Sequence, residues 1–336
     1  MSASLLISRE LAERHADELG RILSTAPRPL ALLPFEVGAA YTPAQIAGIE
    51  AAFYSRDIWE GRAEKHGSPE AQAFWSVVDG APALRWLQLV SVGLDHPCYQ
   101  PSLQRGIRIT TAAGTNAEPV ALNALTGLLM LARGFPHWIA AQQRRAWAPI
   151  QTAQLPRDLR GQTALIVGTG QIGTRIGAAL QGLGVRTVGL RRTPQPTPGF
   201  DEVHALDTVD AQLPRADWLV LACPLGPQTR GLLDARRLAL LPPGAGLVNI
   251  ARGEIVDEAA LLVALQSGRL LGAYLDVYSQ EPLPPESPLW DVPNVILTPH
   301  NASASSGTRQ RGFELFLRNL RAWLHGELLE SEVTRP

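Results

Sequence analysis

The stretch TALIVGTGQIGTRIGAALQGLG, Thr163–Gly184, decides the fold. Its first five residues have the apolar make-up of a buried strand and run directly into Gly168-x-Gly170-x-x-Gly173. Apolar residues then recur at helical spacing. Gly168 permits a tight turn, Gly170 lets the backbone approach a pyrophosphate, and Gly173 allows a helix to pack closely on a sheet. The amides of Gln171 and Ile172 stand at the helix start, where an anion is favoured. A bare glycine pattern is weak evidence, and a packing turn without a ligand is its alternative reading. With the strand before it and the helix after it, the pattern reads as a dinucleotide-binding turn.

The next strand, VRTVGL (Val185–Leu190), leads into Arg191, Arg192 and Thr193. An acidic residue at this point usually holds the ribose hydroxyls of NAD. None is present, and two arginines stand where a 2′-phosphate would lie. NADP(H) is therefore the favoured cofactor, with NAD(H), held through weaker contacts, as the alternative.

Outward from this unit the pattern repeats. Strands are expected at Trp218–Cys223, Leu247–Ile250, Leu271–Asp276 and Val295–Thr298, with helices such as Asp257–Gly268 between them. Toward the N-terminus, Leu5–Ser8, Leu30–Phe35, Ala51–Ser55 and Leu84–Val90 read as buried strands, and Glu10–Leu23 as one amphipathic helix. A long helical region spans Asn116–Trp147, interrupted near Gly134–Pro136, and a last helix runs over Thr308–His325. Such alternation predicts α/β architecture: two doubly wound parallel-sheet domains of the Rossmann-like or flavodoxin-like kind.

Composition excludes several classes of function. Two domains are expected from 336 residues. The formal net charge is −1, so no field of one sign draws nucleic acid or an anionic membrane. The most apolar stretch, Ala117–Ala132, contains Glu118, Asn123 and Thr126 and is too short and polar to span a bilayer. Cys98 and Cys223 cannot form a disulfide framework, no Cys-x-x-Cys pair is present, and no metal site is expected. Lys65, the only lysine, lies in a polar stretch, which argues against Schiff-base chemistry. The opening residues show no signal peptide, and the cytoplasm is the expected location.

Six segments together carry a resemblance to a known family. They are SVGLDH (Ser91–His96), LRGQTALIVGTGQIG (Leu159–Gly173), CPLGPQTRGLL (Cys223–Leu233), LVNIARGEIVDEAAL (Leu247–Leu261), LDVYSQEPLP (Leu275–Pro284) and NVILTPHNAS (Asn294–Ser303). In order and spacing the chain resembles the D-isomer-specific 2-hydroxyacid dehydrogenases, over roughly Leu84–Ser303. The resemblance implies a cofactor domain, residues 113–300, inserted into a split substrate domain, residues 1–112 with 301–336. It also implies a homodimer whose interface uses the helical region after Asn116.

By this resemblance Arg252, Glu281 and His300 carry the chemistry. Each residue type suits carbonyl reduction. Arginine binds a substrate carboxylate and polarises the adjacent carbonyl. Histidine donates a proton near neutral pH, and a carboxylate beside it favours the imidazolium. The resemblance further assigns Cys223, Pro224, Thr229, Ile250, Ala251, Arg252, Asp276 and His300 to the cofactor site. The Cys223 thiol reads as an apolar wall. Val92 and Gly93 are assigned to the substrate carboxylate, with Asp95 and His96 ordering that turn. His15, His66, His137, His204 and His325 match no motif and read as surface or packing residues on helices or loops.

The chain departs from the family in two places. Leu122 stands where a glutamate often occurs, and the first 83 residues match poorly. There Asp57–Gln72 reads as an enlarged loop after a strand end, which makes Arg56 and Trp59 candidate substrate contacts. The expected activity is NADPH-dependent reduction of a small 2-oxo acid, glyoxylate or hydroxypyruvate foremost, to a D-2-hydroxy acid. Formate- or phosphite-type oxidation, and a dinucleotide-sensing corepressor-like role, are the alternatives.

Overall fold

The computed structural model describes residues 3–58, 67–94, 96–151 and 155–333. Trp59, Lys65, His66 and Asp95 lie outside the described residues. The chain divides into two compact units, Met1–Asn116 with Ser305–Pro336, and Ala117–Ala304. Among the described residues no helix is long and apolar enough to cross a membrane.

Unit 1 runs β1 (Ala3–Ser8), α1 (Arg9–Arg14), α2 (Ala16–Ser24), β2 (Leu30–Phe35), α3 (Pro43–Ala47), β3 (Ile49–Tyr54), α4 (Pro69–Asp79), β4 (Trp86–Leu89), α5 (Gln100–Gln104) and β5 (Arg108–Thr110). Its five strands are parallel in the order β2-β1-β3-β4-β5, the flavodoxin-like arrangement. Leu5, Leu6 and Ile7 are all fully buried, so β1 presents apolar side chains to both faces, as a covered parallel strand must. Leu6, Phe74 and Leu87 belong to the core on one face, and Leu5, Phe53 and Phe316 to the core on the other.

Unit 2 runs α6 (Ala117–Ala132), α7 (Phe135–Gln143), β6 (Thr163–Val167), α8 (Gln171–Gly182), β7 (Arg186–Arg191), β8 (Glu202–Ala205), α9 (Val209–Gln212), β9 (Trp218–Leu221), α10 (Ala235–Leu238), β10 (Ala245–Asn249), α11 (Glu258–Gln266), β11 (Leu270–Leu275) and β12 (Val295–Leu297). The last helix of the chain, α12 (Thr308–Leu324), belongs to unit 1. The seven strands of unit 2 are parallel in the order β12-β11-β10-β9-β6-β7-β8, a Rossmann-type order that reverses at β6.

Several sequence expectations need correction. The helix over Glu10–Leu23 is two helices, because His15 leaves helical geometry (φ −118°, ψ 26°) and packs its ring 4.0 Å from that of Phe313. The loop expected over Asp57–Gln72 ends early. Pro69–Gln72 form the first turn of α4, where Ser68 Oγ accepts the Ala71 amide at 3.2 Å. The edge strands β5 and β8 are additional to the expected set. They are three and four residues long, too short for a polar–apolar alternation to stand out from chance, and no β8 side chain is fully buried. His204 therefore sits on a strand, not a helix or loop.

Candidate active site

The site grows from strand ends. In unit 2 the C-terminal ends of β6, β7, β9, β10, β11 and β12 lead respectively into Gly168, Arg192, Cys223, Arg252, Asp276 and His300. Parallel pairing puts all these ends on one edge of the sheet, where ligands bind in this architecture.

The glycine turn has the shape a dinucleotide needs. Gly168 has φ +104°, and a Cβ there would stand 2.5 Å from the Ala222 carbonyl oxygen. A Cβ on Gly173 would reach 1.9 Å from the Gly168 oxygen, so only glycine lets α8 start so close to β6. Gly170, by contrast, opens onto free space, and a Cβ there would meet nothing within 4 Å. The N-cap of α8 is Gly170, which has no side chain to cap the amides that begin the helix. Thr169 Oγ1 is buried with no hydrogen-bond partner among the described residues. An open cradle with uncapped amides fits a pyrophosphate. Arg191 closes β7 and donates to Thr197 Oγ1 at 3.3 Å, while Arg192 and Thr193 are exposed beyond it.

At β9, Cys223 is buried, and burial pushes its thiol up to about 11. That matches an apolar wall better than a nucleophile. Thr229 Oγ1 donates to the Pro224 oxygen and accepts the Gly226 amide, each at 2.8 Å, and so shapes the loop after β9.

After β10, Ile250 and Ala251 are buried and Arg252 is half-buried in an extended conformation. The backbone is held here by Asn249, whose Oδ1 accepts the Ala251 amide at 3.1 Å and whose Nδ2 donates to the Arg252 oxygen at 3.0 Å. Gly253 then presses on the loop after β11, and a Cβ there would lie 1.9 Å from the Tyr278 carbonyl carbon. This close approach ties the segment bearing Arg252 to the loop bearing Glu281.

Glu281 and His300 meet directly. Oε2 of Glu281 is 2.6 Å from Nδ1 of His300, and Oε1 accepts the Tyr278 amide at 3.1 Å. His300 has φ +48°, a left-handed conformation rare for a side-chain-bearing residue. The buried Asp276 holds that turn. Its Oδ1 accepts the Thr298 hydroxyl (2.7 Å) and the Asn301 amide (2.8 Å), and its Oδ2 accepts the Ala302 amide (3.0 Å). Tyr278 adds a hydroxyl bond to the Thr298 oxygen at 2.8 Å. The arrangement is an arginine after β10 and a carboxylate-paired histidine after β12, with β11 and the loop bearing Glu281 between them, on the sheet edge that also carries the nucleotide cradle. Such a set can bind an acid, polarise a carbonyl and deliver a proton.

Residues 125–302 match the family pattern of the D-isomer specific 2-hydroxyacid dehydrogenase NAD-binding domain. A glyoxylate reductase of Thermococcus gammatolerans is 36% identical over 266 residues, covering 77% of this chain and 79% of that protein. The chain belongs to the D-isomer-specific 2-hydroxyacid dehydrogenases. A family member from Xanthobacter autotrophicus Py2, solved with NADPH and MES, is similar in fold with a TM-score of 0.74 and 27% identity, over 99% of this chain and 98% of that one. A glyoxylate reductase from Paecilomyes thermophila has a TM-score of 0.78 at 25% identity, again over 99% and 98%.

Membership makes the chain an NAD(P)-dependent oxidoreductase. In this dehydrogenase the remaining expected contacts, Val92, Gly93, His96 and Arg56, all belong to unit 1, whereas the triad belongs to unit 2. Val92 is exposed and Gly93 half-buried in the turn after β4. His96 Nδ1 accepts the Cys98 amide at 3.3 Å and lies 3.0 Å from its sulfur, which orders the next turn. Arg56 is half-buried just after β3. Sequence reasoning does not single out Tyr278 or Thr298, which shape the His300 turn. Tyr278 lies inside the LDVYSQEPLP segment, and its hydroxyl gives no local sign of a partner twenty residues away.

Proposed function

We propose that this dehydrogenase reduces a small 2-oxo acid to a D-2-hydroxy acid with NADPH, glyoxylate and hydroxypyruvate being the first substrates to try. The Glu281–His300 pair carries the reading, since carbonyl reduction needs a proton donor held in one orientation. When bound, the reduced nicotinamide supplies the hydride. The chain's residues do the rest. Arg252 binds the substrate carboxylate with its planar fork and draws charge from the carbonyl oxygen. His300 donates the proton to that oxygen from Nε2, while Glu281 fixes the ring through Nδ1. The Val92–Gly93 amides are a second contact for the substrate carboxylate. The glyoxylate reductases among the relatives support the substrate class.

The NADPH preference is supported by Arg191 and Arg192 and by the lack of an acid beside them. A homodimer is supported by exposed apolar side chains on and after α7, among them Trp138, Ile139 and a wholly exposed Trp147. The deciding experiment is NADPH oxidation against 2-oxo acids of graded side-chain size. Turnover of glyoxylate or hydroxypyruvate is the expected result, and no turnover with any of them would overturn the reading. Light scattering should give twice the chain mass, and a single chain mass would remove the dimer.

A further inference from the structure

The loop that leaves β7 reads RTPQPTPGF, Arg192–Phe200, and carries Pro194, Pro196 and Pro198. Each proline fixes its own φ and restricts the residue before it, so the loop has few conformations open to it. Its far end is anchored within unit 2. Gly199 has φ +82° and packs on α8, where a Cβ on Gly177 would stand 2.2 Å from the Gly199 carbonyl oxygen. Phe200 then packs against the core to which Ile166 and Ile176 belong. Thr197 lies two residues before this anchor, back beside the end of β7.

The neighbours of the Thr197 hydroxyl set its roles. It donates to the Gln195 carbonyl oxygen at 3.0 Å, which uses its single hydrogen. The oxygen is left to accept, and it accepts Nη1 of Arg191 at 3.3 Å. The Arg191 backbone is fixed as well, because it is paired with Ala205 of β8. A neutral hydroxyl orients the guanidinium without cancelling its charge. It engages one N–H of the planar fork and leaves the others for an anion. An arginine held in this way loses less rotamer freedom when an anion binds.

We infer that Thr197 is a positioning residue for the 2′-phosphate of the cofactor, acting through Arg191. It does not donate to the phosphate, since its hydrogen is committed to Gln195. The inference rests on the proposed NADPH preference and adds to the two arginines a neutral residue that sets its size.

The test uses the full chain in two measurements. Calorimetry compares adenosine 2′,5′-bisphosphate with adenosine 5′-monophosphate, which lacks the 2′-phosphate. Steady-state rates compare NADPH with NADH. Thr197→Val keeps the shape and removes the hydroxyl, whereas Thr197→Ser keeps the hydroxyl. In Thr197→Val the bisphosphate-to-monophosphate affinity ratio should fall by about three- to tenfold, and KM for NADPH should rise by a similar factor. The loss should be confined to the phosphate-bearing ligand of each pair, a selectivity that a merely structural role would not give. Thr197→Ser should return both ratios to the parental values. Thr197→Ala carries the test if valine disturbs the loop. A parent that distinguishes neither pair would defeat the NADPH reading and the inference with it. A parent that distinguishes both defeats the inference alone if Thr197→Val keeps the parental ratios, if both ligands of a pair weaken equally, or if Thr197→Ser behaves as Thr197→Val.

Discussion

Glu281 Oε2 and His300 Nδ1 stand 2.6 Å apart, although nineteen positions separate the two residues. The contact leaves Nε2 as the ring nitrogen turned away from the carboxylate. His300→Ala should lose roughly 10²–10⁴ in kcat and still bind NADPH. Glu281→Gln keeps the shape but replaces the carboxylate that holds the ring through Nδ1, so kcat should fall while the affinity for NADPH is kept. Steady-state rates and NADPH titration check both. A near-normal kcat in His300→Ala would sink the assignment, and an unchanged kcat in Glu281→Gln would sink the pairing.

Arg191 and Arg192 bear on cofactor choice. A charge-assisted bond to phosphate contributes roughly 1.5–3 kcal/mol, so NADPH should exceed NADH by about ten- to a hundredfold in kcat/KM. The Arg191→Ala, Arg192→Ala double variant should lose most of that preference while its NADH kinetics change little. Equal efficiency of the two cofactors in the parent would refute the role.

Asp276 should matter to stability as well as rate. It accepts three hydrogen bonds at 2% exposure. Asp276→Ala strands the buried Ala302 amide, at about 1–3 kcal/mol, and removes the acceptor of the Asn301 amide, while the Thr298 hydroxyl keeps the Tyr274 hydroxyl 3.0 Å away. It also frees the turn that holds His300 at positive φ. Urea unfolding should show a lowered midpoint, and kcat should fall further than NADPH affinity. A variant with parental stability would mean that the turn is held by other groups.

Glu202 predicts an acid limb of stability. Hydrogen bonds from Arg215 first, then His204 and Arg186, hold its carboxyl at about 2, below its ordinary value of 4.5. A carboxyl depressed in the folded chain contributes stability that is fully present above the unfolded value and lost as pH falls. Its share should therefore vanish between pH 4.5 and about 2. Glu202→Gln should destabilise the chain at neutral pH and flatten the decline over that window in thermal melts. Parallel curves for parent and variant would count against it.

What the sequence determined alone was local. A strand, three glycines and a helix within Thr163–Gly184 define the nucleotide turn wherever they stand, and Arg191–Arg192 follow from β7 in the chain itself. Buried strands such as β1 were legible because a run of apolar residues must be covered on both faces. The tertiary structure decided what depends on neighbours. The edge strands β5 and β8 exist through pairing, not through their own pattern. The helix break at His15 goes with its ring packing on Phe313, at the far end of the chain. The Asp276 clamp and the Glu281–His300 pair arise because β10, β11 and β12 lie side by side and end together. Residue periodicity tells which way a side chain faces. Which side chain it meets is set by strand order and register, and these are properties of the whole sheet.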